Sequence, residues 1–279
     1  MTVRFEWPSL MVLVLAAAGV PYTACAQQAV QADAPMAVVQ VDGLSNPDSQ
    51  SYRRMLKGMD AFEQHHALAP AALMRYRLYP RLPGVKAQGV RLSLKSDAGT
   101  QPISVDADLT FILPRDARAL ADGAEVVSNR PSRSFAWGPD VRTPGLPPNT
   151  RRLGDLRLEC QIDRAASLLV GLKTPAYYVI EATIDVCKAF PGSWLYYGER
   201  AIFNVTLVHG ERRQVLLSPH LYGSMMPTAI QVFYDFYPLL IDRTYHIRVS
   251  DTSWPDDTLV ELEYMDDEVM PAAVAGVAP

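Results

Sequence analysis

The sequence predicts a mainly β protein, built as one or two antiparallel β-sandwich modules with one N-terminal amphipathic helix. Three observations carry this. Apolar and polar residues alternate through many short runs, which is the period of half-buried strands. Turn-forming residues punctuate the runs, and most of the 22 prolines lie between them, so long helices have little room. Only one stretch, over residues 47–66, spaces its apolar residues as a helix does.

Asn46-Pro47 reads as an N-cap followed by proline at the first helical position. Beyond it Tyr52, Met55, Leu56, Met59 and Phe62 recur at three- and four-residue spacing, with Arg53, Arg54, Lys57 and Asp60 opposite. This helix is expected to end near His66, before Pro70, and Gly58 inside it costs about 1 kcal/mol. From Leu73 the period is two. Met74, Tyr76 and Leu78 oppose Arg75, Arg77 and Tyr79, and Val90, Leu92 and Leu94 oppose Arg91, Ser93 and Lys95. Asp97-Ala98-Gly99 marks a turn, after which Ile103, Val105, Ala107, Leu109 and Phe111 oppose Asp106, Asp108 and Thr110. A helical turn at 118–124 and a short strand at 125–128 follow. Residues 129–150 hold five prolines and read as a long loop with a strand at 134–137.

Leu156, Leu158, Cys160 and Ile162 alternate again and predict a strand over 153–163 with Cys160 facing inward. A soft domain boundary falls at 164–173. Residues 177–186 are β-branched and aromatic and read as a strand, with a helix started by Thr174-Pro175 as the alternative. Residues 201–208 and 213–217 flank His209-Gly210-Glu211, a hairpin signal. Strands at 230–236, 244–249 and 258–264 complete the set, and Phe233-Tyr234 and Phe236-Tyr237 supply large apolar area. The hairpin of residues 201–217, followed by Arg243-Thr244-Tyr245-His246-Ile247-Arg248-Val249, loosely resembles transthyretin-like or immunoglobulin-like modules. That resemblance rests on alternation and implies a sandwich, with nothing about activity.

The first residues add an address. Arg4 precedes an apolar run over 10–20, and Ala24-Cys25-Ala26 leads into Gln27. A charged start, a short apolar core and an A-x-A site are the pattern of a secretory signal peptide, cut between Ala26 and Gln27. A membrane span needs roughly 20 apolar residues, so this run is too short for a permanent anchor, and the mature chain is expected to have no transmembrane span. The alternative makes Cys25 a lipidated first residue, although Tyr22 and Thr23 fit that site poorly. The expected organisation is a leader over 1–26, an extended lead-in over 27–46, the helix plus a first β module over 47–164, a second β module over 165–268 and a disordered tail over 269–279. Periplasmic or secreted localisation follows, and there thiols oxidise. Outside the leader Cys160 and Cys187 remain, and one disulfide between them closes a loop of 28 residues, worth about 3.5 kcal/mol by chain entropy. In a regular strand Cys187 shares the face of Glu181, Thr183 and Asp185, so a bulge or strand end near Val186 is needed to turn it inward.

Chemistry is sparse. The formal net charge of −4 argues against nucleic acid as a partner. There is no serine elbow, zinc-protease helix, Cys-x-x-Cys pair or phosphate-binding glycine loop, and the five histidines lack ligand spacing, so no catalytic residue, metal or cofactor is expected. Asp106 and Asp108 on one strand face could make a glycosidase pair, about 7 Å apart, but a solvated face explains them more simply. The most suggestive feature is central: Arg130, Arg133, Arg142, Arg151, Arg152 and Arg157 lie within 28 residues, against Asp140 and Asp155. Guanidinium forks fit carboxylate and phosphate, so Arg133, Trp137, Arg142, Arg151 and Arg152 are a candidate surface for an envelope protein or an anionic envelope component. The plainer reading is a solvated loop, or an internal match to residues 251–268, which carry eight acids and no base. Trp194, Tyr196, Tyr197 and Trp254 are candidate sugar-stacking rings. Three functions follow: a non-catalytic binding or scaffolding protein of the cell envelope, a secreted glycan hydrolase whose site forms no motif, or a carbohydrate-binding module.

Overall fold

A computed structural model describes residues 44–81, 85–168, 183–189, 192–222 and 241–267. The expected leader, the expected lead-in up to residue 43, the strand expected at 230–236, most of that at 177–186 and the expected tail lie outside the described residues.

The protein is mainly β. In chain order the strands are β1 (Pro47–Ser51), β2 (Leu73–Pro80), β3 (Leu92–Ser96), β4 (Gly99–Ile103), β5 (Thr110–Phe111), β6 (Glu125–Pro131), β7 (Phe135–Arg142), β8 (Thr150–Arg152), β9 (Trp194–Tyr197), β10 (Ile202–His209), β11 (Arg212–Val215), β12 (Thr244–Ile247) and β13 (Leu259–Tyr264). The helices are α1 (Tyr52–His65), α2 (Ala117–Ala121), α3 (Leu153–Ala166) and α4 (Val186–Ala189). Strand orders are β1-β6-β3-β4, β5-β2-β7, β11-β10-β13-β8 and β12-β9. Every strand pairing among the described residues is antiparallel.

The amphipathic helix is present as α1, but it begins later than Pro47 suggests. Residues 47–51 are instead strand β1, paired with β6, and Ser51 takes the N-cap position. Proline is tolerated at the first residue of an edge strand for the same reason as at a helix start, since neither place uses its N–H. Gly58 has a packing reason. A Cβ there would lie 2.6 Å from the Tyr76 hydroxyl and 3.1 Å from Ala166 on α3, so the missing side chain lets α1 seat against α3 and β2.

The largest departure from the sequence reading is α3. Residues 153–163 form a helix, not a strand. Its apolar residues belong to two helical stripes: Leu153, Leu156 and Cys160 enter the core shared with β9, β10, β12 and β13, while Leu158 and Ile162 face α1 and β7. Read along the chain, the interleaved stripes imitate a period of two. A third stripe, Asp155, Glu159 and Asp163, is acidic and buried. The stretch 103–111 is also not one strand. Asp106 to Leu109 makes a tight turn, with the Leu109 N–H donating to Asp106 O at 2.9 Å and Leu109 at a φ of 65°. Asp106 and Asp108 therefore do not share a strand face.

The hairpins at Asp97-Ala98-Gly99 and at His209-Gly210-Glu211 form where expected, as β3–β4 and β10–β11. Cys160 and Cys187 are disulfide-bonded. The turn that brings Cys187 inward is α4, one helical turn in place of a strand. Strand β8 and helix α3, which precede the expected boundary at 164–173, pack with strands that follow it.

Candidate functional site

The arginines singled out in the sequence separate into interior and surface groups. Arg151 and Trp137 are each only 2 % exposed, so the expected five-residue surface does not form. Trp137 packs edge-on against Phe111 and donates its indole N–H to Asp48 at 3.3 Å. Arg151 points from β8 toward α3 and makes an ion pair with Glu159 through both terminal nitrogens.

That pair completes a strand edge. Strand β7 pairs with β2 on one side only. On its other side the Val141 N–H donates to Glu159 at 2.8 Å, Val141 O accepts from Arg151 at 2.8 Å, and the Thr143 N–H donates to Asp155 at 3.0 Å. Asp155 and Glu159 are one helical turn apart, and residues 141 and 143 are one strand repeat apart, so the two spacings meet. The helix supplies carboxylates where a neighbouring strand would supply carbonyls. Burial pushes the Glu159 carboxyl upward, yet its oxygens receive N–H donors from Val141 and Arg151, an arrangement suited to the carboxylate. Arg151 is desolvated too, but Glu159 holds its guanidinium charged.

Beside this lies a second cluster. Asp140 is buried and accepts from Arg77 at 3.1 Å and from Arg142 at 2.8 Å, while Glu199 takes the second arm of Arg142 at 2.9 Å. Burial opposes ionisation of Asp140, but Arg142 and Arg77 outweigh it and hold the carboxyl at about 2. Asp108 lies 3.3 Å from Arg77, and Asp106 pairs with Arg75. Both acids of the suggested glycosidase pair are therefore engaged in ion pairs. Arg133 is exposed in the turn between β6 and β7, at a φ of 68°. Trp254 is buried under the Arg212 guanidinium, Tyr196 and Tyr197 are buried, and Trp194 packs on the core, so these rings do not make an exposed row.

What stays open is one face and one edge of the β11-β10-β13-β8 sheet. Ile202, Val205, Leu207, Val260, Leu262 and Tyr264 point into the core, and the alternate residues point out. The register sets Arg152, Leu259, Val208 and Arg213 in a row across the outer face, with Thr150, Glu261, Thr206 and Val215 in the next. At one end of the sheet four large apolar residues are exposed: Phe203 by 58 %, Val215 by 52 %, Leu217 by 70 % and Met265 by 52 %.

Among the described residues strand β11 is an edge strand, paired with β10 alone. The Leu216 N–H donates to Val205 O at 2.8 Å, so even-numbered residues of β11 turn their backbone groups toward β10. By alternation the N–H and C=O of Arg213 and Val215 point outward, away from the sheet. Arg213 also reaches Glu261 across the outer face at 2.7 Å. Arg152 makes no ion pair among the described residues and stands at the opposite end of its row. The sequence reading included Arg152 but missed Arg213, because only the strand register places them on one face.

Among the described residues no group of three or more His, Cys, Asp or Glu is placed to hold a metal ion, and no helix is long and apolar enough to cross a membrane. Comparison with known proteins finds no match to any family model, curated protein or solved structure.

Proposed function

We propose that the chain is an exported, non-catalytic protein of the cell envelope that binds or scaffolds a protein partner through the open edge of β11 and the outer sheet face beside it. In this reading residues 1–26 are a cleaved leader, the mature chain is periplasmic or secreted, and the antiparallel sheets are sandwich modules of the immunoglobulin-like or transthyretin-like kind. The Cys160–Cys187 disulfide supports an oxidising compartment. The binding role rests on the outward backbone groups of Arg213 and Val215, which have no strand partner among the described residues, beside the exposed Phe203, Leu217 and Met265. An extended segment can add to such an edge through main-chain hydrogen bonds while its side chains choose the register. Arg213, which stands at that edge, favours a partner strand that carries acids among its apolar residues. A structural role for the buried acids supports the non-catalytic part: Asp140, Asp155 and Glu159 all accept hydrogen bonds that hold the fold.

The test places a photo-crosslinking residue at Phe203 in the exported protein and identifies the adduct in the envelope by mass. Val215→Pro removes an N–H that points outward and spares those bonded to β10, so it blocks strand addition at the free edge. The adduct is expected to disappear in Val215→Pro while the far-ultraviolet circular dichroism stays unchanged. An adduct that survives this substitution overturns the edge reading. Intact mass of the same preparation reads the start of the chain: Gln27 supports the cleaved leader, lipidated Cys25 a tethered protein, and retained residues 1–26 refute both.

A further inference from the structure

Cys187, one half of the disulfide, lines a cavity of about 470 Å³. Leu68, Cys187, Val249, Trp254 and Pro255 give it an apolar lining, and Lys188 and Thr252 are among its polar residues. Its size falls within the range of small-molecule sites, about 300–1,000 Å³.

Two sides of the cavity are fastened to α3. On one, the disulfide ties α4 to Cys160. On the other, Arg157 holds the loop of residues 249–256 as an arch. Its Nε donates to Val249 O at 2.8 Å, one terminal nitrogen donates to Asp251 O at 2.8 Å and Trp254 O at 2.9 Å, and the other pairs with Asp256. The Trp254 ring is held in turn by the Arg212 guanidinium, 3.6 Å from its centre. A cavity held from both sides is formed before any ligand arrives, which lowers the ordering cost of binding.

The charges around it do not cancel. Arg157 is matched by Asp256, and Arg164 by Asp185 at 2.9 Å. Lys188 shares that Asp185 with Arg164 in a longer ion pair of 3.6 Å, and its side chain is 63 % exposed. Three cations, Arg157, Arg164 and Lys188, thus share two acids, Asp256 and Asp185, and Lys188 is the most exposed of the three, at the edge of an apolar cavity. We propose that this cavity is a binding site for a small carboxylate with an apolar body, the body against Leu68, Val249 and Trp254 and the carboxylate at Lys188.

Titration calorimetry with sodium decanoate below its micelle concentration tests this, with decanol as the uncharged probe. The oxidised wild type is expected to bind one decanoate per chain. Lys188→Gln should weaken decanoate about fivefold, the upper end of what a single exposed ion pair contributes, and leave decanol unchanged. Thr252→Trp changes an exposed residue of the lining and is expected to fill the cavity and abolish binding of both probes without altering the melting temperature. Absence of saturable decanoate binding to the oxidised wild type overturns the site. Binding that survives Thr252→Trp, with the fold intact, moves it elsewhere and also overturns it. Equal affinity for decanol and decanoate, insensitive to Lys188→Gln, overturns the carboxylate assignment.

Discussion

Replacing Arg151 by Met tests the idea that an ion pair stands in for a strand at the edge of β7. In the native protein Glu159 receives N–H donors from Val141 and Arg151, and Val141 O receives one from Arg151. Met keeps much of the volume and removes every donor. Glu159 then stays buried with the Val141 N–H as its one remaining donor from this set, and the Val141 carbonyl loses its Arg151 donor. Breaking a buried pair from one side costs about 3–5 kcal/mol, a large share of the roughly 5–15 kcal/mol by which domains are stable. Lys at the same position keeps a charge but not the two-pronged fork, so it should recover part of the loss. In the Met variant Glu159 gains stability by taking a proton, so the deficit should be larger at pH 8 than at pH 5. Glu159→Gln combined with Arg151→Met should cost less than the two single changes added, because each single change strands the other's partner. Urea unfolding followed by circular dichroism at both pH values measures all of this. A cost below about 1 kcal/mol for Arg151→Met, or strict additivity in the double variant, refutes the surrogate-strand argument.

Two further outcomes are expected. Changing both Cys160 and Cys187 to Ala should lower the unfolding free energy by about 3.5 kcal/mol, from the sequence separation of 27 between the joined residues; a urea midpoint unmoved from the oxidised wild type contradicts it. His246 is buried on β12, and burial lowers its pKa from 6.5 to about 4. Its folded pKa lies below the unfolded one, so the unfolded chain takes the proton first, and stability is complete above about pH 6.5 and falls toward pH 4 by about 3 kcal/mol. His246→Gln should flatten that part of the profile, and parallel losses in the two proteins rule His246 out as the cause.

Much of the β architecture was legible because its signals are local. His209-Gly210-Glu211 sits between two alternating runs, and the hairpin forms there. Cys160 and Cys187 were legible as a pair because the third cysteine, Cys25, falls in the expected leader. Helix α3 was not legible, since Leu156, Leu158, Cys160 and Ile162 belong to two helical stripes that only tertiary packing tells apart. Pro47 misled for a related reason: a missing N–H suits a helix start and an edge strand equally. The arginine cluster showed the same limit in the candidate site. Sequence proximity grouped Arg151 with Arg152, but adjacent strand residues face opposite ways, so one is core and the other surface. Arg213 joins Arg152 only across four strands, a relation that register creates and composition does not carry.

The place of β8 has a consequence for the order in which the molecule can be completed. Its strand partner among the described residues is β13, near the far end of the described chain, and α3 follows β8 directly. A chain that emerges from its N-terminus first therefore presents β8 and the Leu153–Leu156–Cys160 stripe of α3 long before residues 259–264 arrive to cover them. Closure of this core waits on a late, long-range pairing, the slow kind of step. Until then the exposed Leu153 and Leu156 are a target for holding chaperones, and a chain interrupted before β13 is a substrate for proteolysis.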